Sequence, residues 1–455
     1  GGSTVRRSIL PSGVRVLTEH MPSAQSVSVS FSVAVGSRDE TDGHHGSTHF
    51  LEHLLFKGTK KRSALDIAVA FDSVGGSSNA STGKEHTSYY ARVQDSALPI
   101  AVDVIGDMLA SSLIDPKEFE NERTVILEEL AMNDDDPQDV AHEAFAEAVL
   151  GDHALGRPIG GTNETITAVT RDAVWAHYQA NYRPQDLVIA AAGGVQHADL
   201  IALVEKALGD AGWDLNQAAT PVARRLLHPA KISRGTELKV IKRPIAQANV
   251  LLGMQGLVAD DERRYAMGIL NTVLGGGMSS RMFQEIREKR GLAYSVYSFN
   301  QGYSDGAYFG LYAGCSPAKT AEVTRLMVAE FEKIWPIDNA EPWDAPGLIA
   351  GSESQRISRV LLSVDVTSEI ITEAKDGEFD LVLSHHPFLL RGVQTVSEST
   401  GKGALLATAI RSSIAIYAAH TNADVVENGV SQTLADAFGL IGASPLVALS
   451  DRSIG

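Results

Sequence analysis

Three residues constrain one stretch of this chain more than any others: His49, Glu52 and His53 in Gly46-Ser-Thr-His-Phe-Leu-Glu-His-Leu-Leu-Phe-Lys-Gly-Thr59. On a helix, His49 and His53 share one face, a turn apart. Two imidazoles at that spacing can grip one metal ion, and zinc takes nitrogen ligands in this way. Glu52, next to the second imidazole, is placed to deprotonate a metal-activated water as general base. Leu51, Leu54, Leu55 and Phe56 supply apolar surface, so the expectation is a buried helix carrying a polar notch. Two core histidines sharing a helix by chance is the competing reading of this pattern taken alone.

A third ligand is available downstream. Phe119-Glu-Asn-Glu-Arg-Thr-Val-Ile-Leu-Glu-Glu-Leu130 reads as a helix, with Val125, Ile126 and Leu130 on its apolar side. Glu122 and Glu129 lie two turns apart on one face, so both can point at one site; a solvated acidic face is the alternative. The two segments together resemble the pitrilysin/insulinase family of zinc peptidases, most closely its short bacterial and processing-peptidase branch. That family pairs H-x-x-E-H with a ligand glutamate some seventy-odd residues on, in an E-R-x-x-I-L-x-E helix, here Glu122 to Glu129. The resemblance implies that His49, His53 and Glu129 hold Zn2+, that Glu52 is the base, and that Glu122 supports the ligands from behind.

Composition excludes several function classes. The 455 residues suffice for two to four domains, and 44% hydrophobic with 21% charged residues is the balance of a globular protein. A net charge of −17 opposes binding to nucleic-acid phosphates. The single cysteine, Cys315, forbids an intrachain disulfide and fits a reducing compartment. Neither a signal peptide nor an apolar run of about 20 residues is visible. The expectation is therefore a cytoplasmic chain with no nucleic-acid or membrane partner.

Along the chain, Val14–Glu19 and Ser26–Val35 alternate as strands. Helices are expected at 64–74, 96–111, 116–134, 137–149, 169–180 and 197–209, with a strand at 185–194. Between the first two helices, Ser77–Thr82 and His86–Val93 read as paired strands. In the family the first of these is an edge strand that takes extended peptide at Asn79 and Ala80; an ordinary hairpin is the alternative. Residues 1–212 thus form a zinc-binding half and 213–234 a linker, before a second half over 235–336. There, strands at 236–257 and helices at 261–274 and 281–290 lead to a hairpin at 293–314, a weak internal repeat. That half has no H-x-x-E-H but carries Arg287 and Tyr294 at the family's seven-residue spacing. The resemblance makes Arg287 a substrate contact and Tyr294 a donor to the developing oxyanion.

The text changes after Trp335, where the family's second half would continue. Trp343-Asp-Ala-Pro-Gly-Leu348, Asp380-Leu-Val-Leu-Ser-His-His-Pro387 and His420-Thr-Asn-Ala-Asp424 resemble the GTP cyclohydrolase I type 2-like, dinuclear-metal family. Residues 337–455 are expected to form part of a parallel-sheet α/β domain, with His385, His386, His420 and Asp424 as candidates for a second divalent-metal site. The fold expected is thus α+β: two similar α/β-roll halves, the second truncated, followed by this partial domain. The leading function is a zinc-dependent endopeptidase acting on extended peptides. The alternatives are a non-catalytic binding subunit and a metal-dependent hydrolase or scaffold in the tail. A homodimer is carried as an open alternative for partner.

Overall fold

The serine–apolar alternation of Ser26–Val33 builds the centre of the first sheet. Val27, Val29, Phe31 and Val33 are buried on one face while the serines occupy the other, as a two-residue period requires. The structure, a computed structural model, describes residues 3–223, 225, 232–233, 235–236, 238–332, 345, 347–352, 355, 357, 359–390, 395–419, 447–448 and 453–454. It divides into two units, Gly1–Thr324 and Arg325–Gly455.

The first unit begins with β1 (Thr4–Ile9), β2 (Arg15–His20), β3 (Ser26–Val33), α1 (Ser47–Leu55), α2 (Ala64–Asp72), β4 (Ser77–Thr82) and β5 (Thr87–Gln94). There follow α3 (Leu98–Ser111), α4 (Pro116–Asp135), α5 (Pro137–Leu150), α6 (Asn163–Ala168), α7 (Arg171–Asn181), β6 (Leu187–Gly193) and α8 (His197–Asp210). The six strands form one open sheet in the order β1-β2-β6-β3-β5-β4, with β2 and β6 parallel and the other pairs antiparallel. Beneath it α3 and α8 meet closely, because a Cβ on Gly106 would stand 3.1 Å from that of Ala207. β4 is an edge of this sheet.

The second stretch repeats the core of the first with β7 (Ala248–Gln255), α9 (Arg264–Gly275), β8 (Ala293–Gly302) and β9 (Ala307–Cys315), after which the chain passes through α10 (Thr320–Glu332) into the second unit. The strand order of this stretch, β7-β9-β8, copies β3-β5-β4. Helix α5 packs on this second sheet. Phe145 meets Phe299 edge-on at 5.4 Å, and Gly253 leaves room for it, since a Cβ there would come within 2.3 Å of the Phe145 ring.

Three local expectations are corrected. Strand forms over 248–255 and not through 236–257: Lys239 and Arg243 are drawn off to Glu147 and Asp134, and Pro244 has no N–H for a ladder. The helix expected at 281–290 widens to π-type turns over Phe283–Glu288. Val125 is 48% exposed, because the stripe buried on α4 runs through Phe119, Glu122 and Ile126, a hundred degrees away.

The second unit contains β10 (Gly347–Ala350), β11 (Val360–Ser363), α11 (Ser368–Asp376), β12 (Leu381–Ser384), α12 (Gly401–Arg411) and β13 (Ala415–Ala418). β11, β12 and β13 are parallel, and β10 lies antiparallel beside β13. Ile371, Ala374, Val382, Ala409 and Ile416 make its core.

Candidate metal centre

The start of α1 is built to be rigid. Gly46 caps it at φ 95°, and a Cβ there would lie 2.6 Å from the Gly160 carbonyl oxygen, so only glycine fits. No cap side chain precedes the helix. The buried carboxylate of Glu40 takes that role, accepting from Gly46 N–H at 2.8 Å and Thr48 N–H at 2.7 Å. Burial pushes the Glu40 carboxyl up, and these two N–H groups oppose that. Thr48 Oγ1 lies 3.1 Å from His177 Nε2 on α7, which pins the first turn from the side.

Helix α4 crosses α1 with Phe119 stacked on Phe50 at 4.5 Å and 9°. Asp115 caps it, accepting from Lys117 N–H at 2.8 Å. This crossing brings Glu122 and Glu129 to the histidines. His49 Nε2 is 3.7 Å from one oxygen of Glu129, and His53 Nε2 is 3.5 Å from the other. Glu122 Oε2 lies 3.1 Å from His53 Nδ1, while its Oε1 lies 2.7 Å from Lys57 Nζ. Among the described residues, His49, His53 and Glu129 are the one group of three or more such side chains with donor atoms all within 4.8 Å.

The donor set fits zinc. Bonds of about 2.0–2.1 Å around a tetrahedral ion put neighbouring donors roughly 3.4 Å apart, close to the separations found. Burial, followed by the neighbouring His53, pulls the His49 pKa down, which keeps its imidazole neutral as a ligand requires. Among the described residues His49 Nδ1 is buried without a hydrogen-bond partner, and of the two imidazoles only that of His53 has a carboxylate behind its ring.

Glu52 projects from the same helix, half-buried, and its Oε2 accepts from the hydroxyl of Thr82 on β4. On that edge strand Asn79 is exposed and Ala80 is buried, and Asn79 Oδ1 accepts from the Ala80 N–H at 2.9 Å. Arg287 and Tyr294 are brought to each other, and among the described residues no hydrogen bond, ion pair or ring contact joins either of them to this cluster. The guanidinium stands 4.5 Å from the Tyr294 ring centroid, and the tyrosine is 75% exposed. In the second unit, His385 and His386 stand side by side just past β12. His386 Nδ1 is 2.8 Å from Asp365 Oδ1, and His385 Nδ1 is 3.0 Å from the Ala419 carbonyl oxygen. His420 and Asp424 lie outside the described residues.

Sequence reasoning missed Glu40, Lys57, Thr82 and His177. Lys57 had a signal, since it follows His53 by one turn and shares the face that Glu122 approaches. The others come from loops, strands and helices whose proximity no spacing announces.

Comparison with known proteins agrees with this geometry. The family model described as Insulinase (Peptidase family M16) matches residues 15–163, and that of the Peptidase M16 inactive domain matches 168–335. A model of the Duf34/NIF3 (NGG1p interacting factor 3) family matches 322–451, as the tail's motifs led one to expect. A protein of Streptomyces coelicolor named an uncharacterized zinc protease is 51% identical over 334 residues, covering 73% of this chain and 72% of its own. One of the same name in Mycobacterium tuberculosis is 43% identical, covering 78% and 82%. A solved protease from Helicobacter pylori superposes with a TM-score of 0.66 at 21% identity, covering 83% of this chain and 84% of its own. Among the described residues no helix is long and apolar enough to cross a membrane. With its two M16 segments and zinc-protease relatives, the chain belongs to the insulinase family of peptidases, M16.

Proposed function

We propose that this chain is a zinc-dependent endopeptidase acting on extended peptide segments. The observation that carries the reading is the convergence of His49, His53 and Glu129 within 4.8 Å beside an open sheet edge. These three residues would hold the ion. When bound, zinc polarises a carbonyl and makes a water acidic enough to ionise near neutral pH. Glu52 takes a proton from the attacking water on the oxygen that Thr82 leaves free, then returns it to the leaving amine. Glu122 accepts from Nδ1–H of His53, which leaves Nε2 with its lone pair. A substrate strand would add to the outer edge of β4, with backbone groups of Asn79 and Ala80 setting its register.

A second role belongs to the Arg287–Tyr294 pair. Tyr294 is exposed, while the two halves are already tied by Arg38, which pairs with Asp305 at 2.7 Å. We therefore assign the pair to the metal site of a second copy of this chain, where Tyr294 would donate to the developing oxyanion. In the tail, His385 and His386 remain candidates for a weak divalent-metal site. The non-catalytic reading gains no support from the cluster, where His49, His53 and Glu129 converge on the helix that also carries Glu52.

The test is hydrolysis of an unstructured peptide by the purified full chain. Activity should vanish with a chelator, return with zinc, and be absent in Glu52→Gln although that variant still binds zinc. Chelator-resistant hydrolysis, or full turnover by Glu52→Gln, would sink the assignment.

A further inference from the structure

We infer that Thr82 is a positioning residue for the general base, holding one oxygen of Glu52 so that the other faces the attacking water. The inference rests on the reading of Glu52 as base and adds a residue that neither its motif nor its spacing would pick out.

Three observations carry it. First, Thr82 is the one hydrogen-bond partner Glu52 has among the described residues, and the hydroxyl donates to Oε2. A glutamate with three rotatable bonds needs such a contact, because a carboxylate free to rotate presents either oxygen, or neither, to a water. Second, the hydroxyl is itself held. Thr82 ends β4 and pairs in register with Thr87, whose own hydroxyl donates to the Val35 carbonyl and which is fully buried. A β-branched side chain on a paired strand has restricted χ1, so the Oγ1 position follows from the backbone. Third, strand alternation puts Thr82 on the face of Ala80, while Asn79 and Ser81 are exposed on the other. The hydroxyl therefore reaches α1 from the sheet, behind the edge at which peptide would bind.

The consequence is mechanical. β4 carries both the backbone edge that would register a substrate strand and the hydroxyl that fixes the base. The scissile bond and the proton acceptor are thus indexed to one element six residues long. A serine at 82 keeps the donor and loses only the methyl group, whereas valine keeps the shape and loses the donor.

The experiment compares Thr82→Val, Thr82→Ser and Glu52→Gln, and the double variant, in the full chain with zinc. Thr82→Val should lower kcat by roughly tenfold, leave KM within about twofold, and bind zinc as tightly as the parent by chelator competition. Thr82→Ser should recover most of kcat. The double variant should show no turnover, as Glu52→Gln alone, while binding zinc as tightly as the parent. A crystal structure of Thr82→Val should show the Glu52 carboxylate turned from its parent rotamer. Unchanged kcat in Thr82→Val, with Glu52→Gln inactive, would overturn this inference and leave the base assignment standing. So would a loss that serine fails to restore or that comes with weakened zinc binding, since either marks a structural role. Full turnover by Glu52→Gln would instead remove the base assignment, and this inference with it.

Discussion

One oxygen of Glu122 lies 3.1 Å from Nδ1 of His53, and the other lies 2.7 Å from the ammonium of Lys57. The carboxylate is almost wholly buried, so its charge must be matched locally. Lys57 supplies that match, and His53 receives a fixed ring orientation. Glu122→Gln should therefore weaken zinc binding by about ten- to a hundredfold in a chelator competition. Lys57→Met should weaken it less, with Lys57→Arg close to the parent. Parent-like zinc affinity in Glu122→Gln would show that the contact orients nothing.

On the proposed assignment, with Glu129 as ligand and Glu52 as base, the two glutamates should separate by phenotype. Glu129→Gln removes a ligand that faces both imidazoles at 3.7 and 3.5 Å, so zinc occupancy at limiting metal should fall sharply. Glu52→Gln leaves all three ligands in place, so occupancy should hold while turnover falls below detection. Metal analysis after gel filtration, beside a peptidase assay, reads both.

His177 gives the fold a dependence on acid. Burial pulls its pKa down to about 4, with Asp39 acting the other way and His44 reinforcing the drop. In the unfolded chain it titrates near 6.5. Between those values the unfolded state binds more protons, so stability rises with pH across the window and is lost as pH falls from about 6.5 to 4. The neutral ring sits 3.1 Å from Thr48 Oγ1, so the loss acts on the first turn of α1. His177→Asn should flatten the pH dependence of the urea-unfolding free energy in this window, removing up to about 3 kcal/mol of it in total. An unchanged slope would place the acid sensitivity elsewhere.

What could be read from the sequence follows from periodicity. His49 and His53 on one helical face, Glu122 and Glu129 two turns apart on another, and the alternation of Ser26–Val33 are short-range patterns, and each has its counterpart in the structure. Strand Ser77–Thr82 was legible as strand from its flanking turn, and its place at the sheet edge came from family resemblance. What escaped is contact across long separations. Glu40 capping Thr48 N–H, Thr82 on Glu52 and His177 on Thr48 join residues 8, 30 and 129 positions apart with no shared period. The exposure of Val125 was misjudged for a related reason: one apolar residue beside a stripe looks like part of it until a neighbouring helix fixes the angle.

Arg38 ties the two halves of the first unit. Its guanidinium donates to both oxygens of Asp305 at 2.7 and 2.8 Å and to Glu85 at 2.7 Å, and Glu85 in turn accepts from Ser304 N–H at 3.1 Å. These groups are 12–24% exposed, so the pairing lies between a surface ion pair and a buried one. Asp305→Ala, which leaves Arg38 with Glu85 and the Ser304 hydroxyl, should cost about 2 kcal/mol in urea unfolding, more than an exposed pair and less than a buried one. A loss under about 0.5 kcal/mol would mean that solvent replaces the aspartate.

The exposed Arg287–Tyr294 pair yields the most discriminating prediction for the second-copy reading. If Tyr294 serves the metal site of a partner, Tyr294→Phe should lower kcat by up to about a hundredfold, the scale of losing one oxyanion donor, with zinc content unchanged. The decisive step is mixing. Glu52→Gln lacks the base but keeps Tyr294, and Tyr294→Phe lacks the donor but keeps Glu52. A mixed dimer holds one site with an intact Glu52 facing an intact Tyr294. Co-refolding the two weak variants in equal amounts should therefore restore roughly a quarter of parental activity, from half the molecules with half their sites. A mixture no more active than the sum of its parts would place Tyr294 at the metal site of its own chain, reached by motion of the second half, or remove it from the chemistry. The parent mass in solution separates those outcomes, since a monomer that still loses kcat in Tyr294→Phe leaves only the first.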